Sequence, residues 1–169
     1  KQYRPLGNST SLGITIDTFA KVSTINLIQV VINKDHALEY TNVLNKLQLG
    51  PNYKKLLPMC VGGNDRTISV KNGLEALSLS EADIKKVLIH DAARPLVKKK
   101  LINLVLDTLN HSQAVLPAIP IVDTLWISDK TGLHPGPKRD TLVSGQTPQG
   151  FHFNLCLLYT SPSPRDSDS

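Results

Sequence analysis

Short runs of branched apolar residues alternate with stretches of helical spacing, and this rhythm limits what the chain can fold into. Residues 25–32 (Ile-Asn-Leu-Ile-Gln-Val-Val-Ile) read as a buried strand. Asp35 is then placed to cap a helix on which Leu38, Val43, Leu44 and Leu47 form a stripe, closed by Gly50-Pro51. A short strand at 57–61 leads through Gly62-Gly63-Asn64-Asp65 into a second helix, where Val70, Leu74 and Leu77 fall at i, i+4 and i+7. Val87-Leu88-Ile89 is the next strand, and Leu101, Ile102, Val105 and Leu109 mark the next helix. Residues 114–119 form a strand bounded by Pro117 and Pro120, and residues 14–19 open a helix near the front. Strands alternating with helices of this length imply a layered, largely parallel α/β sheet.

Beyond Pro120 the rhythm lapses. Residues 121–128 read as a strand, Asp129-Lys130-Thr131-Gly132 as a turn and Leu133 onward as a return strand. That is an arm, at about 121–143, and an arm leaving the body needs something to pack on. A second copy of the chain is the economical partner.

The totals narrow the function classes. With 169 residues and 40% apolar content the chain suits one soluble domain. No apolar run approaches the roughly 20 residues of a membrane helix, and no signal peptide opens the sequence. Nineteen basic against 14 acidic residues give a net charge of +5. The basic residues are scattered, so a small phosphorylated ligand fits better than nucleic acid. Two cysteines form neither a disulfide framework nor a metal pattern and suit a reducing compartment. Residues 156–169 break from the preceding pattern and resemble a translated sequencing adapter or a Ser/Pro-rich disordered tail. The folded domain is therefore expected over 1–155.

Two loops carry the candidate chemistry. His90-Asp91-Ala92-Ala93-Arg94-Pro95 follows a strand, and ligands in open α/β sheets sit beyond the carboxyl ends of strands. A plain ion pair between Asp91 and Arg94 is the competing reading. The Gly62-Gly63-Asn64-Asp65 loop runs into a helix start, where free amides favour anions or base edges. Asn64 both donates and accepts, which suits a nucleobase edge, although an ordinary turn capped by Asn64 or Asp65 has the same pattern.

These loops are followed in order by Pro120-Ile121-Val122-Asp123-Thr124-Leu125 and Gln146-Thr147-Pro148-Gln149, with Lys1-Gln2-Tyr3 in front. The series resembles the 2-C-methyl-D-erythritol 4-phosphate cytidylyltransferase family, from Lys1 to about Leu155. The resemblance implies a three-layer, Rossmann-like nucleotidyltransferase sheet with a projecting β-arm. It implies a reaction in which a methylerythritol phosphate oxygen attacks the α-phosphate of CTP and displaces pyrophosphate, with Mg²⁺ to absorb charge. By the same resemblance Lys1 and Arg139 are catalytic, and Gly63, Asn64, Ser69, Asp91 and Ala92 hold CTP. Asp91, Thr124, Arg139 and Thr147 hold the acceptor, Asp91 stands near the metal, and Arg94 braces its loop. The arm joins a homodimer in which Thr124 and Arg139 enter the partner's site. The compartment implied is the bacterial cytoplasm, or the plastid of a photosynthetic eukaryote.

The chain departs from the family pattern in places. Asn64 stands where the family usually has Asp, Pro137-Lys138 replaces Val-Asp before Arg139, and Trp126 replaces a common basic residue. The family's glycine-rich phosphate loop and a C-terminal substrate-positioning lysine do not occur in these residues. The 169-residue chain alone is therefore expected to be inactive and poorly soluble. A ribitol-5-phosphate cytidylyltransferase, a non-catalytic dimerisation domain of the same fold, and a parent fused to a cyclodiphosphate synthase are the alternatives that stay open.

Overall fold

Thr10 starts the first helix by accepting a hydrogen bond from Gly13 N at 3.1 Å, which satisfies one of the free amides of the opening turn. In the computed structural model, which describes residues 1–160, a tight hairpin of β1 (Pro5–Leu6) and β2 (Ser9–Thr10) delivers the chain to this cap. Gly7, at φ 59°, makes the turn between them. Helix α1 (Ser11–Ala20) buries Leu12, Ile16 and Phe19.

The parallel ladder comes next. Backbone bonds run from Ile28 to Ile32 against residues 55–62, and β3 (Val31–Ile32) pairs with β4 (Cys60–Val61). Between them lies α2 (Ala37–Lys46), whose buried residues are Tyr40 and Val43. Two expectations are corrected here. Leu38 is 72% exposed, and Tyr40 takes its place in the stripe beside the buried Val43 and the partly buried Leu44 and Leu47. Asp35 is not the cap either: Asn33 accepts from Asp35 N at 2.9 Å and caps a 3-10 turn, Lys34–His36, that precedes α2.

Helix α3 (Arg66–Ser78) is capped by Asp65, which accepts from Ile68 N at 2.8 Å, and it buries Leu74. It leads to β5 (Lys86–Ile89) and then to α4 (Lys99–Thr108), whose Ile102 and Val105 are buried as the spacing predicts. The expected strand at 114–119 is divided at Leu116-Pro117. Its halves, β6 (Ala114–Val115) and β7 (Ala118–Pro120), join different sheets.

The arm is shorter than the sequence suggests, because residues 121–125 form no strand. The hairpin is β8 (Trp126–Asp129) and β9 (Gly132–Pro135), turning at Gly132 with φ 127°. Asp129 Oδ1 accepts from Thr131 N at 2.7 Å and from the Thr131 hydroxyl at 2.6 Å, which holds its carboxyl below the usual range. Strand β10 (Val143–Gly145) then returns along β7.

Strand β11 (Gln149–His152) lies between β5 and β6 and runs antiparallel to both. The largely parallel sheet is thus corrected: among the described residues, parallel pairing is confined to the β3–β4 ladder and its Ile28–Leu56 extension. The chain re-enters the body from the arm and inserts against the direction of its neighbours. Helix α5 (Phe153–Thr160) closes the described chain. The expected tail boundary at 155/156 falls inside it, and Cys156 is buried beside Leu74, Val87 and Phe153. Residues 161–169 of that expected tail lie outside the described residues.

Strand β3, with the isolated bridge at Ile28 before it, and β5 belong to different sheets. Both line a cleft of about 780 Å³, walled by Ile16 and Phe19 of α1 and by Leu74 and Leu77 of α3. The Asp91 loop lies along it, with Arg66 and Ser69 from the start of α3.

Candidate active site

The glycine loop owes its shape to close packing against the helix that follows. A Cβ on Gly63 would overlap the Ile68 side chain, and one on Gly62 would come within 2.7 Å of Ser69 Oγ. Ser69 closes the loop from inside: its hydroxyl donates to Asp65 O at 2.7 Å and accepts from Gly63 N at 3.1 Å. Asn64 is exposed at the tip, where it can face a ligand, while Asp65 takes the capping role.

The second loop leaves β5 and is held from three sides. Ser11 and Thr15 of α1 donate to Ala92 O at 2.9 and 3.3 Å. His90 contacts Arg94 O at 3.0 Å through Nε2 and the Thr147 hydroxyl at 2.9 Å through Nδ1. Burial pushes the His90 imidazole below its ordinary value of 6.5. Arg94 Nη1 donates to Gln146 Oε1 at 2.6 Å, next to the cis Thr147-Pro148 peptide. Arg94 therefore braces its loop, as expected.

Asp91 joins the two loops. Its Oδ1 lies 3.5 Å from Arg66 Nε and its Oδ2 3.4 Å from Arg94 Nε. Arg66, the first residue of α3, is a site residue that sequence reading missed; its signal was its position directly after the capping Asp65. A carboxylate braced by two guanidiniums is not a metal cage, and the described residues contain no group of three or more His, Cys, Asp or Glu side chains suited to a metal. Any Mg²⁺ here would need phosphate oxygens as its main ligands.

The front of the chain reaches the same place. Leu12 N donates to Gln2 O at 2.8 Å, so Lys1 and Gln2 are anchored at the end of α1 that also holds Ala92. Gln2, Arg66, Ser69, Asp91 and Ala92 all line the cleft. Thr147 is buried, with its hydroxyl committed to His90 rather than presented to the cleft. Thr124 and Arg139 are elsewhere, lining a separate hollow of about 350 Å³ on the arm with Trp126 and Lys138. Arg139 Nη1 donates to Val122 O at 2.7 Å.

The sequence matches the family model for 2-C-methyl-D-erythritol 4-phosphate cytidylyltransferase over residues 1–163. The chain belongs to this family. It is 37% identical to the 2-C-methyl-D-erythritol 4-phosphate cytidylyltransferase of Alkaliphilus oremlandii, across 99% of this chain and 69% of that protein. It is 38% identical to the bifunctional enzyme IspD/IspF of a Ruegeria species, across 93% of this chain and 38% of that protein. The chain thus spans about two fifths of the length of the bifunctional relatives it matches. The crystal structure of the cytidylyltransferase from Thermus thermophilus superposes with a TM-score of 0.76 at 26% identity, covering all of this chain and 73% of that one. The fold is accordingly the α/β nucleotidyltransferase fold of the family. No helix among the described residues is long and apolar enough to cross a membrane.

Proposed function

We propose that this protein acts in cytidylyl transfer: CTP and 2-C-methyl-D-erythritol 4-phosphate give 4-diphosphocytidyl-2-C-methyl-D-erythritol and pyrophosphate. In the step, an acceptor phosphate oxygen forms a bond to the α-phosphorus of CTP. The bond from that phosphorus to the bridging oxygen breaks, and pyrophosphate leaves. The observation that carries the reading is the bridge from Arg66 to Asp91, which joins the start of α3, directly after the glycine loop, to the Asp91 loop at the cleft in a chain of this family.

Within this reading Gly63, Asn64 and Ser69 shape the cytosine end. The Asn64 amide supplies the donor and acceptor that a base edge needs. Asp91 and Ala92 face the nucleotide sugar, phosphates and acceptor. Lys1 and Arg139 bring positive charge to the phosphates, where the transition state spreads negative charge over several oxygens. A Mg²⁺ carried in with the triphosphate would supply further neutralisation, and Asp91 is the carboxylate this reading assigns to it. Thr124 and Arg139 serve the acceptor from the arm of a second copy. The exposed Trp126, Leu133 and Val143 give that arm an apolar surface to bury, which supports a homodimer.

Substrate competition tests the reading. The intact protein, offered CTP with equal amounts of methylerythritol phosphate and ribitol 5-phosphate, is expected to consume the former. Preference for ribitol 5-phosphate, or turnover of neither, contradicts it.

A further inference from the structure

His90 stands between the Asp91–Arg94 turn and the Thr147 loop, and its hydrogen bonds fix where its proton sits. Nε2 is 3.0 Å from the carbonyl oxygen of Arg94. A carbonyl only accepts, so Nε2 must carry the hydrogen. In the neutral ring Nδ1 is then an acceptor, and the hydroxyl 2.9 Å away, Thr147 Oγ1, must donate to it. With its proton committed, Thr147 Oγ1 has lone pairs left, and the Asp91 amide lies 3.5 Å away at the long limit of a hydrogen bond. Every donor in this series has one acceptor and the direction is the same throughout: Asp91 N–H to Thr147, Thr147 O–H to His90, His90 N–H to Arg94.

We propose that His90, locked as its Nε2-protonated tautomer, is the positioning residue that fixes the Asp91–Arg94 turn against the Thr147 loop. It closes the turn on one side by binding Arg94 O and ties it to the arm's return on the other. The Phe19 ring of α1, with its centroid 5.0 Å from that of the imidazole, holds the third side. The charged groups facing His90 are Asp91 and Arg94, which act in opposite directions on its protonation. An added proton would make both ring nitrogens donors, so the Thr147 hydroxyl could no longer donate to Nδ1 and the series would break at its middle. Burial disfavours that added proton and works in the same sense. Insofar as Asp91 faces substrate, the role in catalysis rests on the function proposed above; the tautomer does not.

The test has two arms. Long-range ¹H–¹⁵N NMR on the intact protein with labelled histidine, with the His90 signals assigned through His90→Gln, reads the tautomer directly. The expected result is a neutral ring protonated at Nε2 at neutral pH, kept in Thr147→Val because Arg94 O still accepts from Nε2, with the Nδ1 resonance moved by the loss of its donor. A ring protonated at Nδ1, a doubly protonated ring at neutral pH, or an Nδ1 resonance that does not move in Thr147→Val overturns the proposal, whatever the enzyme does. In the second arm, Thr147→Val is expected to lower kcat about five- to tenfold, the rate equivalent of about one lost hydrogen bond, with KM for CTP nearly unchanged. His90→Asn, whose shorter side chain sets its amide oxygen near the place of Nδ1 to accept from Thr147, is expected to recover part of the activity that His90→Gln, whose amide lies one carbon farther out, loses. Equal loss in both variants, or a loss confined to KM, overturns the positioning role. If the wild type turns over no CTP, the function fails while the NMR result still decides the tautomer.

Discussion

Arg66 Nε lies 3.5 Å from Asp91 Oδ1, so the first residue of α3 holds the acid at the end of β5. The two residues are 25 positions apart, one at the start of a helix and the other in the loop after β5. Both side chains are about half exposed, at 56% and 39%. Such a pair contributes little to stability, roughly 0–1 kcal/mol, because water screens it and ordering two side chains costs entropy. Its value lies in geometry: it sets the gap between the glycine loop and the Asp91 loop. Arg66→Met should therefore leave the denaturation midpoint nearly unchanged and weaken CTP binding about tenfold. Urea melts and nucleotide titration on the same variant separate the two effects.

Gly150 is a point of close approach between α4 and β11. A Cβ there would meet Val105 Cγ1 at 2.6 Å and Leu109 Cδ1 at 2.9 Å, and Val105 and Leu109 are among the most completely buried side chains. Neither can swing into open space, so Gly150→Ala is expected to cost about 1–3 kcal/mol by overpacking. A drop in the urea midpoint without a change in slope is the signature.

Leu38 and Leu74 look equally apolar in the sequence and sit in opposite environments, at 72% and 2% exposure. Leu38→Ala should change stability by less than about 0.5 kcal/mol. Leu74→Ala, which empties a space between α3, β5 and α5, should cost about 2–5 kcal/mol. Chemical denaturation of the two variants side by side checks both values.

Burial pushes the Tyr40 phenol up to about 12 from an ordinary 10.0. The folded state therefore keeps the proton over a range in which the unfolded chain releases it. The contribution is fully present below pH 10.0 and is lost as pH rises toward about 12. Tyr40→Phe keeps the buried ring and removes the titration. Stability measured across that interval should fall less steeply in the variant than in the wild type.

Helix positions were legible because their burial repeats within the chain segment: Val70 and Leu74, or Ile102 and Val105, report their own helix. Leu38 misled because an exposed leucine carries no mark of its exposure, and the true inward residue, Tyr40, is amphipathic. The direction of β11 could not be read from Gln149-Gly150-Phe151-His152, since antiparallel insertion is decided by where the arm returns, not by local pattern. The Pro117 division of one expected strand into two is a tertiary choice of the same kind. At the site, the order of the motifs gave the family and the Asp91 loop. Arg66 and His90 stayed hidden because their roles exist only in contacts across 25 and 57 positions. Thr147 is expected to serve the acceptor; its hydroxyl lies 2.9 Å from His90 Nδ1, a contact that no local pattern displays.

Phosphorus NMR of the intact protein with CTP and methylerythritol phosphate tests the central claim most directly. Both substrates are predicted to disappear together, with pyrophosphate and a new diphosphate diester rising in equal amounts. Asp91→Asn should slow this by about a hundredfold or more, equivalent to about 3 kcal/mol of transition-state stabilisation, without unfolding the protein. Pyrophosphate release that ignores the acceptor, or an Asp91→Asn variant that works at the wild-type rate, would contradict it.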